Sequence, residues 1–168
     1  VGSEMTIDEL AGAMLRLQKR GAHNINFVTP DHFFGHVAAA TARALDDGLT
    51  IPLICNSSGW QKLETLRLME GVFDIYLADM RYSDDTIARN CSGARRSKEV
   101  NRTAIAEMYR QVGNLECDAD GLAVKGLLIR HLVLPGGRSG SKDIFRFLAE
   151  EISPEVYVSL MSQYFPAY

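Results

Sequence analysis

Arg130 is the residue in this chain with the clearest chemical potential. It sits inside the run LLIRHLVLPGG, residues 127–137, among Leu127, Leu128, Ile129, Leu132, Val133 and Leu134. An unpaired guanidinium is costly to bury, so Arg130 should face an anion. An apolar run this short, bounded by turn residues, reads as a strand buried on both faces. Pro135-Gly136-Gly137 then stops it and leaves a loop at its C-terminal end, the end at which parallel α/β folds bind ligands. Asp79 and Arg81 form a second set. Two residues apart on extended chain, they share a face. They either pair with each other or separately hold the ammonium and carboxylate of a ligand. His131 must point away from Arg130, as a packed histidine under a helix.

Other groups promise less. His32 and His36 have the i, i+4 spacing that can place two imidazoles on one metal, but no third ligand follows at useful spacing. GGRSGSK lies between a strand and a helix, yet it lacks the Gly-Lys-Ser/Thr ending of a nucleotide phosphate loop. Cys55, Cys91 and Cys117 are too dispersed for a compact metal motif, and their odd number argues against a disulfide framework. Arg95, Arg96 and Lys98 read as a solvated loop.

Alternating elements must position these residues. Thr6 and Glu9 form a capping box ahead of a helix that Gly21 ends. Strands follow at 24–28, 51–56 and 74–78, with helices at 37–45 and 62–69 between them. A short helix near 85–89 and a long one at 99–112 precede the strand of the opening run. A helix at 141–151, capped by Ser139 or Ser141, and a strand at 156–161 running into Gln163-Tyr164-Phe165-Pro166 complete the order. Strands alternating with helices imply parallel crossovers, in either an open doubly wound sheet or a curved partial barrel. Every strand ends in polar residues, as a ligand-binding rim would: Thr29, Asp31 and His32; Asn56 and Ser57; Asp79 and Arg81; Arg130 with its glycine loop; Ser162 and Gln163. The chain starts on a helix and ends on a strand, so both ends look cut.

The 168 residues fit one domain with a substantial core. A net charge of −3 gives no general basic field for nucleic acid or anionic membrane. With neither a signal peptide nor a spanning stretch, a cytoplasmic location is the default expectation.

Several stretches together, GAHNINFVTPDHF, IYLADMRYSD, IAEMYRQVG, GLLIRHLVLPGG and FLAEEISPEVYVSLMSQYFPAY, resemble a radical S-adenosylmethionine family. The branch is the one related to the pyruvate formate-lyase activating enzyme. The resemblance implies an α/β fold, a parallel-stranded partial (β/α)6 TIM-like barrel. Residues 1–168 would be its single core domain, truncated at the N-terminus, with strands two to six present. It implies S-adenosylmethionine and a 4Fe-4S cluster in the full-length parent. The cluster-binding C-x3-C-x2-C loop is absent here, so no cluster is expected in this fragment, which would be inactive alone. The family generates a 5′-deoxyadenosyl radical; in activating enzymes this takes hydrogen from a glycine on a partner protein of the glycyl-radical type.

Carried over by position, Thr29 and His32 occupy the place of the glycine-rich motif at the cofactor's ammonium. Asp79-x-Arg81 resembles an Asp-x-Lys motif lining the cofactor site. Arg130 matches the arginine at the cofactor's anionic end, and Gln163 falls where the last strand reaches the adenosyl moiety. Asn56 completes the expected cofactor-binding set from the strand-end rim. The competing reading is a cluster-free α/β binding module that docks on a partner protein; a metabolite-binding enzyme of ordinary barrel type comes third. A missing neighbour for the first strand would expose an edge and invite oligomerisation.

Overall fold

A computed structural model of the chain describes residues 3–165; Pro166, the last residue of the expected QYFP extension, lies outside them. The fold is α/β. Helix α1 (Ile7–Lys19) leads to strand β1 (Ile25–Val28), and α2 (Phe34–Asp46) to β2 (Leu53–Ser57). Helix α3 (Leu63–Leu68) precedes β3 (Ile75–Asp79), and α4 (Asp85–Ser92) and α5 (Ser97–Val112) precede a two-residue strand, β4 (Glu116–Cys117). Strand β5 (Ala123–Leu132), α6 (Ser141–Phe147) and β6 (Tyr157–Met161) follow. The capping box closes as the sequence suggests. Glu9 N–H donates to Thr6 Oγ1 at 3.2 Å, and Thr6 N–H donates to the Glu9 carboxylate at 2.7 Å.

The sheet has six strands. Five of them, β1-β2-β3-β5-β6, are parallel, and neighbours in space follow one another along the chain without reversal. The short β4 pairs antiparallel with the start of β5. The sheet is open, with β1 at one edge.

Connections of one hand between sequential neighbours put the crossover helices on a single face. The core agrees. Cys55, Tyr76, Ala78, Leu127 and Ile129, alternate residues of three adjacent strands, are buried together with Met14, Val37, Ala40, Leu66, Ile105, Met108 and Ile144 from the helices. The residues between them in sequence, Asn56, Leu77, Leu128, Arg130 and Leu132, are only half-buried. The expectation of a strand buried on both faces is therefore corrected. Run 127–134 carries aliphatic residues on both of its faces, but among the described residues helices cover only one side of the sheet. The strand also ends at Leu132 rather than continuing to the proline.

Candidate functional site

Arg130 and Asp79 are register partners on β5 and β3, so their side chains leave the sheet on the same, helix-free face. Arg130 Nε donates to Asp79 Oδ1 at 2.7 Å, which supplies the anion that burial of the guanidinium demands. The other carboxylate oxygen, Oδ2, accepts from Arg81 Nη2 at 2.5 Å and Nε at 3.2 Å. Asp79 is 6% exposed and lies between two cations, of which Arg130 is partly covered and Arg81 mostly exposed. Of the two arrangements open for Asp79 and Arg81, the pair is the one formed.

These three residues share a cavity of about 400 Å³ with Tyr82, Leu132, Leu134, Met161 and Tyr164. It opens at the C-terminal ends of β3, β5 and β6. One carboxylate and two guanidiniums, over an apolar floor from the strand ends, complement a zwitterion carrying an apolar body. A smaller cavity of about 180 Å³ lies across Asp79, Arg81 and Tyr82, bounded by Ser58, Trp60 and Asn101.

Two groups outside the expected site residues give it its shape. Asn101, buried on α5, donates through Nδ2 to the Gly59 carbonyl at 2.8 Å and to the Asp79 carbonyl at 2.9 Å. It ties the loop after β2 to the exit of β3. Gly59 has φ 69°, and a Cβ there would lie 2.4 Å from the Asp79 carbonyl oxygen, so only glycine fits the approach. His131, fully buried, sits with Nδ1 2.6 Å from the Met80 carbonyl and Nε2 2.8 Å from Ser141 Oγ. A carbonyl oxygen only accepts, so Nδ1 carries the proton. The ring fastens the Asp79–Arg81 turn to α6 and stacks edge-on against Phe145, the packed role expected from alternation. The signal for Asn101 is present in the sequence: a polar residue four before Ile105 on the buried stripe of α5.

The chain is 30% identical over 149 residues to an uncharacterized protein of Methanocaldococcus jannaschii, an alignment that covers 86% of this chain and 38% of that protein. The chain thus spans well under two thirds of the relative's length. No protein-family model matches the chain.

The remaining expected residues are not all in one place. Asn56 lies on the same face, in register with Leu77 two residues before Asp79, and its carbonyl accepts from Thr29 N–H at 2.8 Å. Gln163 is exposed, beside the Tyr164 that lines the cavity. Thr29 and His32 are exposed at the end of β1, two strands from Asp79. Thr29 has φ 52°, a left-handed backbone that is unfavourable for a β-branched residue. The position of the expected glycine-rich motif thus takes a glycine-like conformation without a glycine. His36 is exposed on α2, and among the described residues no three His, Cys, Asp or Glu side chains group to hold a metal ion. No helix of the described residues is long and apolar enough to cross a membrane.

Proposed function

We propose that this chain forms the cofactor- and substrate-binding wall of a radical S-adenosylmethionine enzyme of the activating-enzyme-related branch. In this reading its five parallel strands are strands two to six of a partial (β/α)6 barrel. The sequential strand order and one-sided helix layer support the barrel reading, since neither suits a doubly wound sheet with a switch point. The observation that carries the functional reading is the Asp79 carboxylate held between Arg81 and Arg130 over a cavity at the strand ends. The amino-acid end of S-adenosylmethionine presents an ammonium and a carboxylate. Asp79 complements the first and Arg130 the second, exchanging their mutual ion pair for two charge-assisted bonds to the cofactor. Arg81 keeps Asp79 oriented while Arg130 turns to the ligand. Leu132, Leu134 and Met161 line the same cavity and would shield the bound cofactor from water.

When bound in such an enzyme, S-adenosylmethionine supplies a 5′-deoxyadenosyl radical on reductive cleavage. The cysteines described here do not fit the cluster that delivers the electron. Cys55 is buried on the helix side of β2, whereas Cys91 is exposed on α4 and Cys117 on β4. Thiolate ligands must converge on one small cluster, so its ligands would lie elsewhere in the protein. The same dispersal favours the second reading, a cluster-free module that docks on a partner protein. In the leading reading, the partner is a protein whose glycine loses hydrogen.

Calorimetric titration of S-adenosylmethionine into the chain and its Arg130→Lys variant tests the proposal. A lysine keeps the charge but loses the fork, and binding should weaken by about 1–3 kcal/mol with an unchanged fold. Equal affinities at equal melting temperatures would contradict it. Absence of saturable binding would favour the docking module.

A further inference from the structure

A second cavity, of about 650 Å³, adjoins the first and shares Tyr82, Leu134 and Tyr164 with it. Its outer wall adds Pro135, Arg138 and Cys91. Arg138 differs from Arg81 and Arg130 in one respect: no ion pair or hydrogen bond occupies its guanidinium among the described residues. The loop that presents it is nevertheless firmly fixed. The neighbouring Ser139 is buried, accepts through Oγ from Leu134 N–H at 2.6 Å, and donates to the Leu132 carbonyl at 2.9 Å. Its carbonyl accepts from Ser83 N–H at 3.1 Å. Gly140, at φ 65°, lies so close to Ser83 that a Cβ would overlap the Ser83 hydroxyl. Tyr82 is tethered in turn, its hydroxyl 2.7 Å from Ser92 Oγ.

A fixed backbone that offers an uncommitted guanidinium to a cavity lined by Tyr82 and Tyr164 is arranged for an anion with a flat or compact apolar body. We propose that this cavity binds a small organic anion. Its apolar body lies between Tyr82 and Tyr164 on Leu134 and Pro135, and its carboxylate or phosphate takes the fork of Arg138. Its role as the substrate position beside the cofactor rests on the function proposed above; its role as an anion site does not.

Phenylacetate, phenyl phosphate and the neutral phenylacetamide are the probes, titrated calorimetrically into the intact chain. One or both anions should bind about tenfold or more tighter than the amide, and the better anion identifies the head group. Arg138→Gln should lose that preference and Arg138→Lys should keep part of it, both with the parent melting temperature, because Arg138 is exposed. A second readout needs no mutation. The bound anion should slow reaction of Cys91 with a chromogenic disulfide and leave Cys117, exposed on β4, unaffected as the internal control. Amide binding as tight as that of the anions, or an Arg138→Gln variant that binds like the parent, would overturn the proposal. S-adenosylmethionine titrated beside the anions into the unmutated chain separates the two readings. Cofactor binding without anion binding removes the anion site alone. Anion binding without cofactor binding leaves the site standing and removes the proposed function.

Discussion

Thr29 carries local strain at the end of β1. A β-branched residue at φ 52° has its Cβ crowded against its own carbonyl, at a cost of about 1–2 kcal/mol. Thr29→Gly should therefore raise the melting temperature by a few degrees, read by calorimetry, unless the greater freedom of glycine in the unfolded chain cancels the gain. A fall of several degrees would show that the Thr29 side chain makes a compensating contact. A second residue-scale prediction concerns alkaline pH. Burial pushes the Cys55 thiol up to about 12, helped by the nearby Asp31 charge, and burial also raises the Tyr76 phenol well above its ordinary value. A raised folded-state value favours the protonated form in the native protein. The associated stability is complete below the unfolded thiol value, about 8.5, and is lost as pH rises toward the folded one. Melting temperature should then decline from about pH 9 upward, and Cys55→Ala should flatten part of that decline. In the native state Cys91 and Cys117 should react with a thiol reagent while Cys55 stays silent.

Among the elements, α5 does the most to shape the site, because Asn101 bridges two loops that are far apart in sequence. Asn101→Ala leaves the carbonyls of Gly59 and Asp79 without their shared donor and should cost about 1–3 kcal/mol in denaturant unfolding. Asn101→Asp should cost more, since a carboxylate would face two carbonyl oxygens. A cost as small for Asp as for Ala would mean that water replaces the amide there. The elements themselves were largely legible from periodicity: the capping box of α1 and the alternation of helices with strands each follow from local residue types. Tertiary context decided the rest. A run with aliphatic residues on both faces does not reveal that helices cover only one of them, and a two-residue strand such as β4 has no period to detect. Arg130 was legible as a cation in need of an anion, because its neighbours are aliphatic. The bridging role of Asn101 is not legible locally, because its partners lie 42 and 22 residues away. Arg138 belonged to a glycine-rich loop that resembled a failed phosphate motif. Its relation to Tyr82 and Tyr164 depends on three separate segments meeting.

At the scale of the molecule, the parallel strands converge their polar ends on one side of an open sheet while helices seal the other. That asymmetry places Asp79, Arg81 and Arg130 on a face that no helix of the described residues covers. Asp79 and the two arginines satisfy one another there, so the site keeps its geometry without a ligand and can exchange internal ion pairs for ligand contacts. The account rests on this triad being a cofactor site rather than a structural ion-pair cluster. The most direct test is a nuclear magnetic resonance titration of the isotopically labelled chain with S-adenosylmethionine, following backbone amides and the arginine Nε–H signals. The account predicts saturable shifts at Arg130 and Arg81 Nε–H, at the amides of residues 79–82, and near Tyr164. The outer helices α1 and α2 should remain silent. Arginine signals that stay fixed through the titration, or shifts confined to the helical face, would contradict it.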